Sequence, residues 1–323
     1  MKHLEIALGK GNQIWKYIVV LVVSFVAANI IGAFPPLLIA IIVHSAGSGE
    51  NIAASGTDFS ALIASGMSPN LLFFLMLIPF VVAFFVLVFM IKAFHKRTWK
   101  ETINGTNRLR WGHFFWGGAA FWLILSLVSL GIQYFISPED LEFQFNLSAF
   151  IPLLIISLLF LPVQTGYEEL AFRGYMAQGV GALTKNRWLV LLIPSILFGL
   201  MHAANPEVKE FGFWIMIPQY CMMGAMLGLV SILDDGIEMA MGVHAANNIF
   251  ASLFITHSSS VFQTPAIFMA KVVNPEGGLI EITIATILLV AFFYKKYNWN
   301  FSVLNKKIEK TEEVEAIEKD QII

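Results

Sequence analysis

The sequence predicts an all-α, polytopic integral membrane protein with about eight transmembrane helices. Three observations lead there. Of 323 residues, 57% are hydrophobic and 13% are charged, whereas a soluble domain carries about 25% charged residues. The apolar residues gather into runs near the roughly 20 residues that cross a bilayer core. Lys and Arg are restricted to alternate loops, the bias shown by cytoplasmic loops of membrane proteins.

The first predicted span runs from Tyr17 to Ser45, with a bend at Pro35-Pro36, where two amide donors are missing. It is too long for the apolar core of a cleavable signal peptide and is read as an uncleaved first span. Leu71–Ile91 is the second and clearest, and Phe114–Ile136 the third. The fourth starts near Phe150 and runs into Glu168. Trp188–Ala204, Phe213–Leu233, Ile237–Thr256 and Leu279–Tyr294 complete the set. With the N-terminus inside, every Lys and Arg falls in the cytoplasm except Lys209, Lys271 and the intramembrane Arg173. The loops Gly47–Pro69 and Pro138–Leu147 carry none. An odd number of crossings would break this alternation, so both termini are placed in the cytoplasm.

These spans divide into four regions. Residues 1–147 hold three helices and their loops. Residues 148–257 form a core rich in intramembrane polar groups, 258–304 the last loop and helix, and 305–323 a charged tail, read as a frayed helix. No long internal repeat is present. The formal net charge of −2 says little, because the charge is unevenly placed. The loop His95–Trp111 mixes basic residues with Trp99 and Trp111 and is expected to rest on anionic headgroups; nothing suggests nucleic acid. The single cysteine, Cys221, cannot close an intrachain disulfide and is read as a buried thiol.

Polar clusters inside apolar segments carry the functional signal, because an ionisable group at membrane depth costs a few kcal/mol or more. They read Glu168-Glu169-Leu170-Ala171-Phe172-Arg173, Phe198-Gly199-Leu200-Met201-His202 and His244-Ala245-Ala246-Asn247-Asn248. On a helix Glu169 and Arg173 stand four apart and can pair, while Glu168 points about 100° away, so the two carboxylates are expected to face different partners. His244 and Asn248 share one helix face, and Asn247 looks elsewhere. Singly, each cluster has a plainer reading: a helix-end ion pair, a packing histidine, or interhelical polar contacts. Three polar intrusions on separate segments are harder to explain as packing. The remaining histidines, His3, His44, His95, His113 and His257, lie at span ends or in loops and are expected to be interfacial.

Glu-Glu-x-x-x-Arg, Phe-x-x-x-His and His-x-x-x-Asn, in this order on successive apolar segments, resemble the motifs of the CPBP family, the CAAX protease and bacteriocin-processing group of intramembrane proteases. The resemblance covers roughly Phe150–Thr256. It implies an all-helical membrane fold and hydrolysis of peptide bonds in membrane-associated or lipid-modified, CAAX-type substrates. It casts Glu168 as general base and His202 as partner in holding the water. His244 and Asn248 would stabilise the oxyanion, with Glu169 and Arg173 in support. A bacterial plasma membrane fits the same resemblance.

No cofactor is required by these residues. Zinc on Glu168, His202 and His244, with water in the fourth position, is the alternative, although no His-Glu-x-x-His run is present. Two other functions compete: a proton-coupled transporter, in which buried Glu and His relay protons, and a non-enzymatic bacteriocin-immunity scaffold. The chain ends Asp320-Gln321-Ile322-Ile323 and is not itself a CAAX prenylation substrate. Counting along straight helices leaves one difficulty. His202 lies about 22 Å past Arg187, and His244 about 10 Å past the turn at Asp234-Asp235-Gly236, at 1.5 Å per residue.

Overall fold

A computed structural model describes residues 2–9, 11–48 and 59–310. All eight expected segments are helical. We label them α1 (Ile14–Gly47), α2 (Pro69–His95), α3 (His113–Ile136), α4 (Leu147–Thr184), α5 (Arg187–Met201), α6 (Pro206–Phe211), α7 (Phe213–Leu233), α8 (Glu238–Leu253) and α9 (Gly278–Lys296). Six of them, α1–α4, α7 and α9, are long and apolar enough to cross a membrane. The fifth and seventh expected spans are α5 and α8, of 15 and 16 residues, shorter than a full crossing. The protein is thus a polytopic all-α membrane protein in which two short helices pack among longer ones.

The α1 helix does not stop at Pro35-Pro36. A π turn, Ala28–Ala33, immediately precedes the prolines, the wider winding that accommodates missing donors and a crowded ring. Nor does α4 end at the glutamates. It continues through a second π turn, Leu170–Met176, to Thr184, a run of about 57 Å at 1.5 Å per residue. A third π turn, His113–Ala119, opens α3. Beyond the helices there is one small sheet among the described residues. Its strands β1 (Leu141–Phe143), β2 (Ile255–Thr256) and β3 (Phe268–Ala270) lie in the order β1-β3-β2, antiparallel for β1/β3 and parallel for β2/β3.

Helix pairs approach closely where glycine removes the side chain. A Cβ on Gly242 of α8 would strike the Phe114 carbonyl oxygen and lie 2.9 Å from the Ala119 nitrogen. Gly118 of α3 meets Met239, Gly242 and Val243 in the same way. Small residues are the usual route to backbone contact between membrane helices, where lipid and side chains are equally apolar.

Segments expected in the cytoplasm collect at one end of the bundle and interlock. Asp235 accepts from the main-chain nitrogens of Lys2 (3.0 Å) and His3 (3.1 Å). Gln178 Nε2 donates to the carbonyls of His3 (2.8 Å) and Thr102 (3.3 Å). Arg110 Nη2 meets Glu238 Oε2 at 2.5 Å and Asp234 Oδ2 at 3.1 Å. Two expectations change here. His3 is not interfacial but buried, at 1% exposure, because its main chain is clamped on both sides. Residues 306–310 are not a frayed helix. Arg187 Nη1 donates to the carbonyls of Lys306 and Lys307, at 2.5 and 2.8 Å, and buried Ile308 docks beside Lys185. The rest of the expected tail, and residues 49–58 of the Gly47–Pro69 loop, lie outside the described residues. Cys221 is half-buried rather than enclosed.

The Gly242 contact predicts that Gly242→Ala lowers stability by about 1–3 kcal/mol, the usual range for overpacking. Unfolding in detergent micelles reads this directly, and a wild-type midpoint would refute the contact. His3 makes a second prediction. Burial lowers its pKa from 6.5 to about 4, Asp235 and Glu238 opposing and Arg110 assisting. Over that window the unfolded segment takes up a proton that the folded one excludes, so stability present above pH 6.5 is lost as the pH falls through about 4. Hydrogen exchange of residues 2–8, corrected for its intrinsic rate, should therefore accelerate on acidification, and His3→Asn should flatten that dependence.

Candidate active site

The site is built on α4, where Asn146 caps the start by accepting from the Ala149 nitrogen at 3.2 Å. Glu169 is fully buried. Its Oε1 accepts from Arg173 Nη1 at 2.8 Å and from His244 Nδ1 at 2.7 Å. Arg173, also buried, donates through Nη2 to the Gly224 carbonyl at 3.2 Å, and its guanidinium lies 4.1 Å from the Phe198 ring centroid. The aromatic face and the carboxylate together replace the water that this cation has lost. One carboxylate oxygen thereby ties α4 to α8, and the arginine ties α4 to α5 and α7.

The two glutamates do not have separate partners as expected. The His244 imidazole enters from α8 between them, with Nδ1 on Glu169 and Nε2 at 3.5 Å from Glu168 Oε2. A ring with nitrogens on two edges spans a 100° offset that a single-headed side chain would not. Glu168 Oε2 is buried with no hydrogen-bond partner among the described residues, and the Glu168 side chain retains 12% exposure.

His202 stands just past the end of α5, which stops before Asn205-Pro206 because a residue preceding proline is driven from helical geometry. His202 Nδ1 donates to the Phe198 carbonyl at 2.7 Å, which leaves Nε2 as the acceptor. Phe198 is the wall between the two imidazoles, its ring 4.6 Å from His202 and 5.8 Å from His244. Counts along the helices are not depths: Phe198, one turn before His202 on α5, has its ring 5.8 Å from that of His244 on α8.

Asn248 belongs to an amide ladder. Trp122 Nε1 donates to Asn247 Oδ1 (3.2 Å), Asn247 Nδ2 to Asn248 Oδ1 (3.1 Å), and Asn248 Nδ2 to Gln164 Oε1 (2.9 Å). Asn247, expected to face elsewhere, orients Asn248 instead. The ladder leaves the second Asn248 N–H for another acceptor. Gln164 was not singled out from sequence, although an amide one turn before Glu168 in an apolar helix was a visible signal. Tyr220, stacked on His202 at 4.3 Å and 21°, had only the ordinary signature of an aromatic residue in a span.

Among the described residues, no three His, Cys, Asp or Glu side chains are grouped so as to hold a metal ion. Glu168, His202 and His244 do not form a ligand set among the described residues.

Residues 146–250 match the family model described as type II CAAX prenyl endopeptidase, Rce1-like, which is the CPBP family. The match takes in all six motif residues. A relative in Bacillus subtilis (strain 168), described as uncharacterized protein YyaK, is 38% identical over 182 residues, or 56% of this chain and 60% of that protein. The alignment therefore spans less than two thirds of the relative. No solved structure matches.

Leaving Glu169 without its cation should be severe. Arg173→Met is predicted to destabilise the protein by about 3–5 kcal/mol, the range for a buried charge that loses its partner. Adding Glu169→Gln should recover part of the loss. Chemical unfolding of the single and double variants measures both steps, and a single variant as stable as wild type would exclude this role.

Proposed function

We propose, from the match of residues 146–250 to the CPBP family model, that the chain is a glutamate-dependent intramembrane endopeptidase. The observation that carries this reading is the Glu168 carboxylate. It is the less enclosed of an adjacent pair, keeps an unpartnered oxygen, and lies 3.5 Å from the His244 imidazole of another helix.

In this reading Glu168 takes a proton from a water that His202 Nε2 helps to hold. The hydroxide adds to the scissile carbonyl carbon, forming a tetrahedral oxyanion. His244, carrying a proton on Nε2, and the second N–H of Asn248 donate to that oxygen. Glu169, bonded to Nδ1, holds the ring in the orientation this needs, and Arg173 holds Glu169. Collapse breaks the C–N bond, and Glu168 returns its proton to the departing amine. Positioned acid–base groups contribute about 10²–10⁴-fold, and an oxyanion donor about 10²–10³-fold.

The substrate class is a membrane-associated or lipid-modified peptide of CAAX type, reaching the site from the bilayer. We propose that both termini lie in the cytoplasm, on the strength of the basic loops, and that the membrane is a bacterial plasma membrane, which fits the family resemblance.

The test uses the full chain in lipid nanodiscs and a prenylated CAAX peptide. Wild type should release the terminal tripeptide. Glu168→Gln and His202→Ala should each lose at least about 10² in rate, and Asn248→Ala about 10²–10³, with folding intact by circular dichroism. Cleavage is expected to survive exhaustive chelation. Wild-type turnover by Glu168→Gln would end the assignment, and loss of activity on chelation with recovery on adding zinc would transfer water activation to a metal.

A further inference from the structure

His202 occupies an awkward place for a residue asked to aim an atom. It follows the last turn of α5, with φ −89° and ψ 2°, so no continuing helix braces it. Its Nδ1 bond to Phe198 fixes one ring edge only. The remaining freedom is a swing of the imidazole plane, and such a swing moves Nε2, the nitrogen that would meet the water.

Tyr220 of α7 closes that freedom. Its ring lies over the imidazole at 4.3 Å between centroids and 21° between planes. Asn205 Nδ2, at the far end of the turn that carries His202, donates to the Tyr220 hydroxyl at 3.2 Å. The tyrosine thus holds the turn at both ends, by its face at His202 and by its oxygen at Asn205.

A close antiparallel seam sets the position of Tyr220. A Cβ on Gly199 would collide with Cys221 Sγ and lie 2.9 Å from the Cys221 nitrogen. A Cβ on Gly224 would lie 2.9 Å from the Ser195 carbonyl oxygen, and one on Gly228 3.0 Å from Leu191 Cδ1. Tyr220, Gly224 and Gly228 recur every four residues, along one face of α7. The backbones of α5 and α7 meet along this face, and the first large side chain where the seam runs out is the one over His202.

We propose that Tyr220 is a positioning residue for His202, its ring fixing the imidazole plane and its hydroxyl fixing the turn. The catalytic meaning of this rests on the peptidase reading above; the positioning itself does not.

Two variants separate the contributions. Tyr220→Phe keeps the ring and removes the hydroxyl, and Tyr220→Leu removes both. With histidine labelled at carbon Cε1 and the His202 resonance assigned by its disappearance in His202→Asn, wild type should show that resonance displaced upfield by the tyrosine ring. Tyr220→Phe should retain the displacement and Tyr220→Leu should abolish it. In peptide cleavage, Tyr220→Leu should lower kcat by about 10- to 100-fold, as sub-ångström to ångström misplacement does, with KM unchanged. Tyr220→Phe should restore most of the rate. A His202 resonance that does not move in folded Tyr220→Leu overturns the proposal, as does a rate equal to wild type. A wild-type chain that cleaves nothing defeats the peptidase reading instead, and the resonance remains a separate measure of the stack.

Discussion

One carboxylate oxygen, Oε1 of Glu169, organises the centre of this molecule. It accepts from Arg173 on its own helix and from His244 on another. Neither bond is available in hydrocarbon alone, and each group would be costly there without the others. Arg173 extends the linkage to the Gly224 carbonyl and the Phe198 ring. Four helices, α4, α5, α7 and α8, are thereby referred to one point. The i,i+4 spacing of Glu169 and Arg173 persists across the onset of a π turn at Leu170, a form of winding often found at functional sites.

Electrostatics fixes which groups meet, and backbone packing fixes how closely. The glycine contacts between α3 and α8, and between α5 and α7, lie within about three turns of His244 and His202 respectively. Close contact of this kind admits little sliding, because interiors pack at near-crystalline density. The amide ladder from Trp122 to Gln164 supplies the same restraint for Asn248 by directed bonds. The catalytic reading depends on both kinds of restraint, since oxyanion donors act through orientation fixed before reaction.

The eight helical segments were legible in the sequence because hydrophobic run length and basic-loop alternation are local signals. Their ends were less so. α4 passes the glutamates and reaches Thr184, since polar residues stop a membrane run only when they face lipid, and these face protein. The motif residues were legible as isolated charges in apolar surroundings. Their pairing was not. His244 bridging Glu168 and Glu169 depends on the placement of α8, and no spacing within α4 encodes it. Tyr220 was hidden for a related reason, as it works on a residue of another helix and looks ordinary in its own segment, while Asn247 was visible but its bond to Asn248 was not. His3 was misplaced because its burial comes from Asp235 and Gln178, more than 170 positions away in sequence.

In the proposed peptidase, the adjacent glutamates raise the question of which one would act as base, and enclosure favours Glu168. Glu169 is fully buried, and its Oε1 already serves two donors. Its Oε2 has no partner but is sealed from solvent, so a proton taken there would have no exit and would weaken the ion pair that holds Arg173. Glu168 differs: although its Oε2 is buried as well, its side chain retains 12% exposure and its contact with His244 is long at 3.5 Å. A general base must exchange its proton at every turnover, whereas an anchor must never do so. In the proposed peptidase, two chemically identical side chains, one residue apart, would be divided between those tasks by what surrounds them. One imidazole touches both: His244 bonds Glu169 through Nδ1 and presents Nε2 towards Glu168.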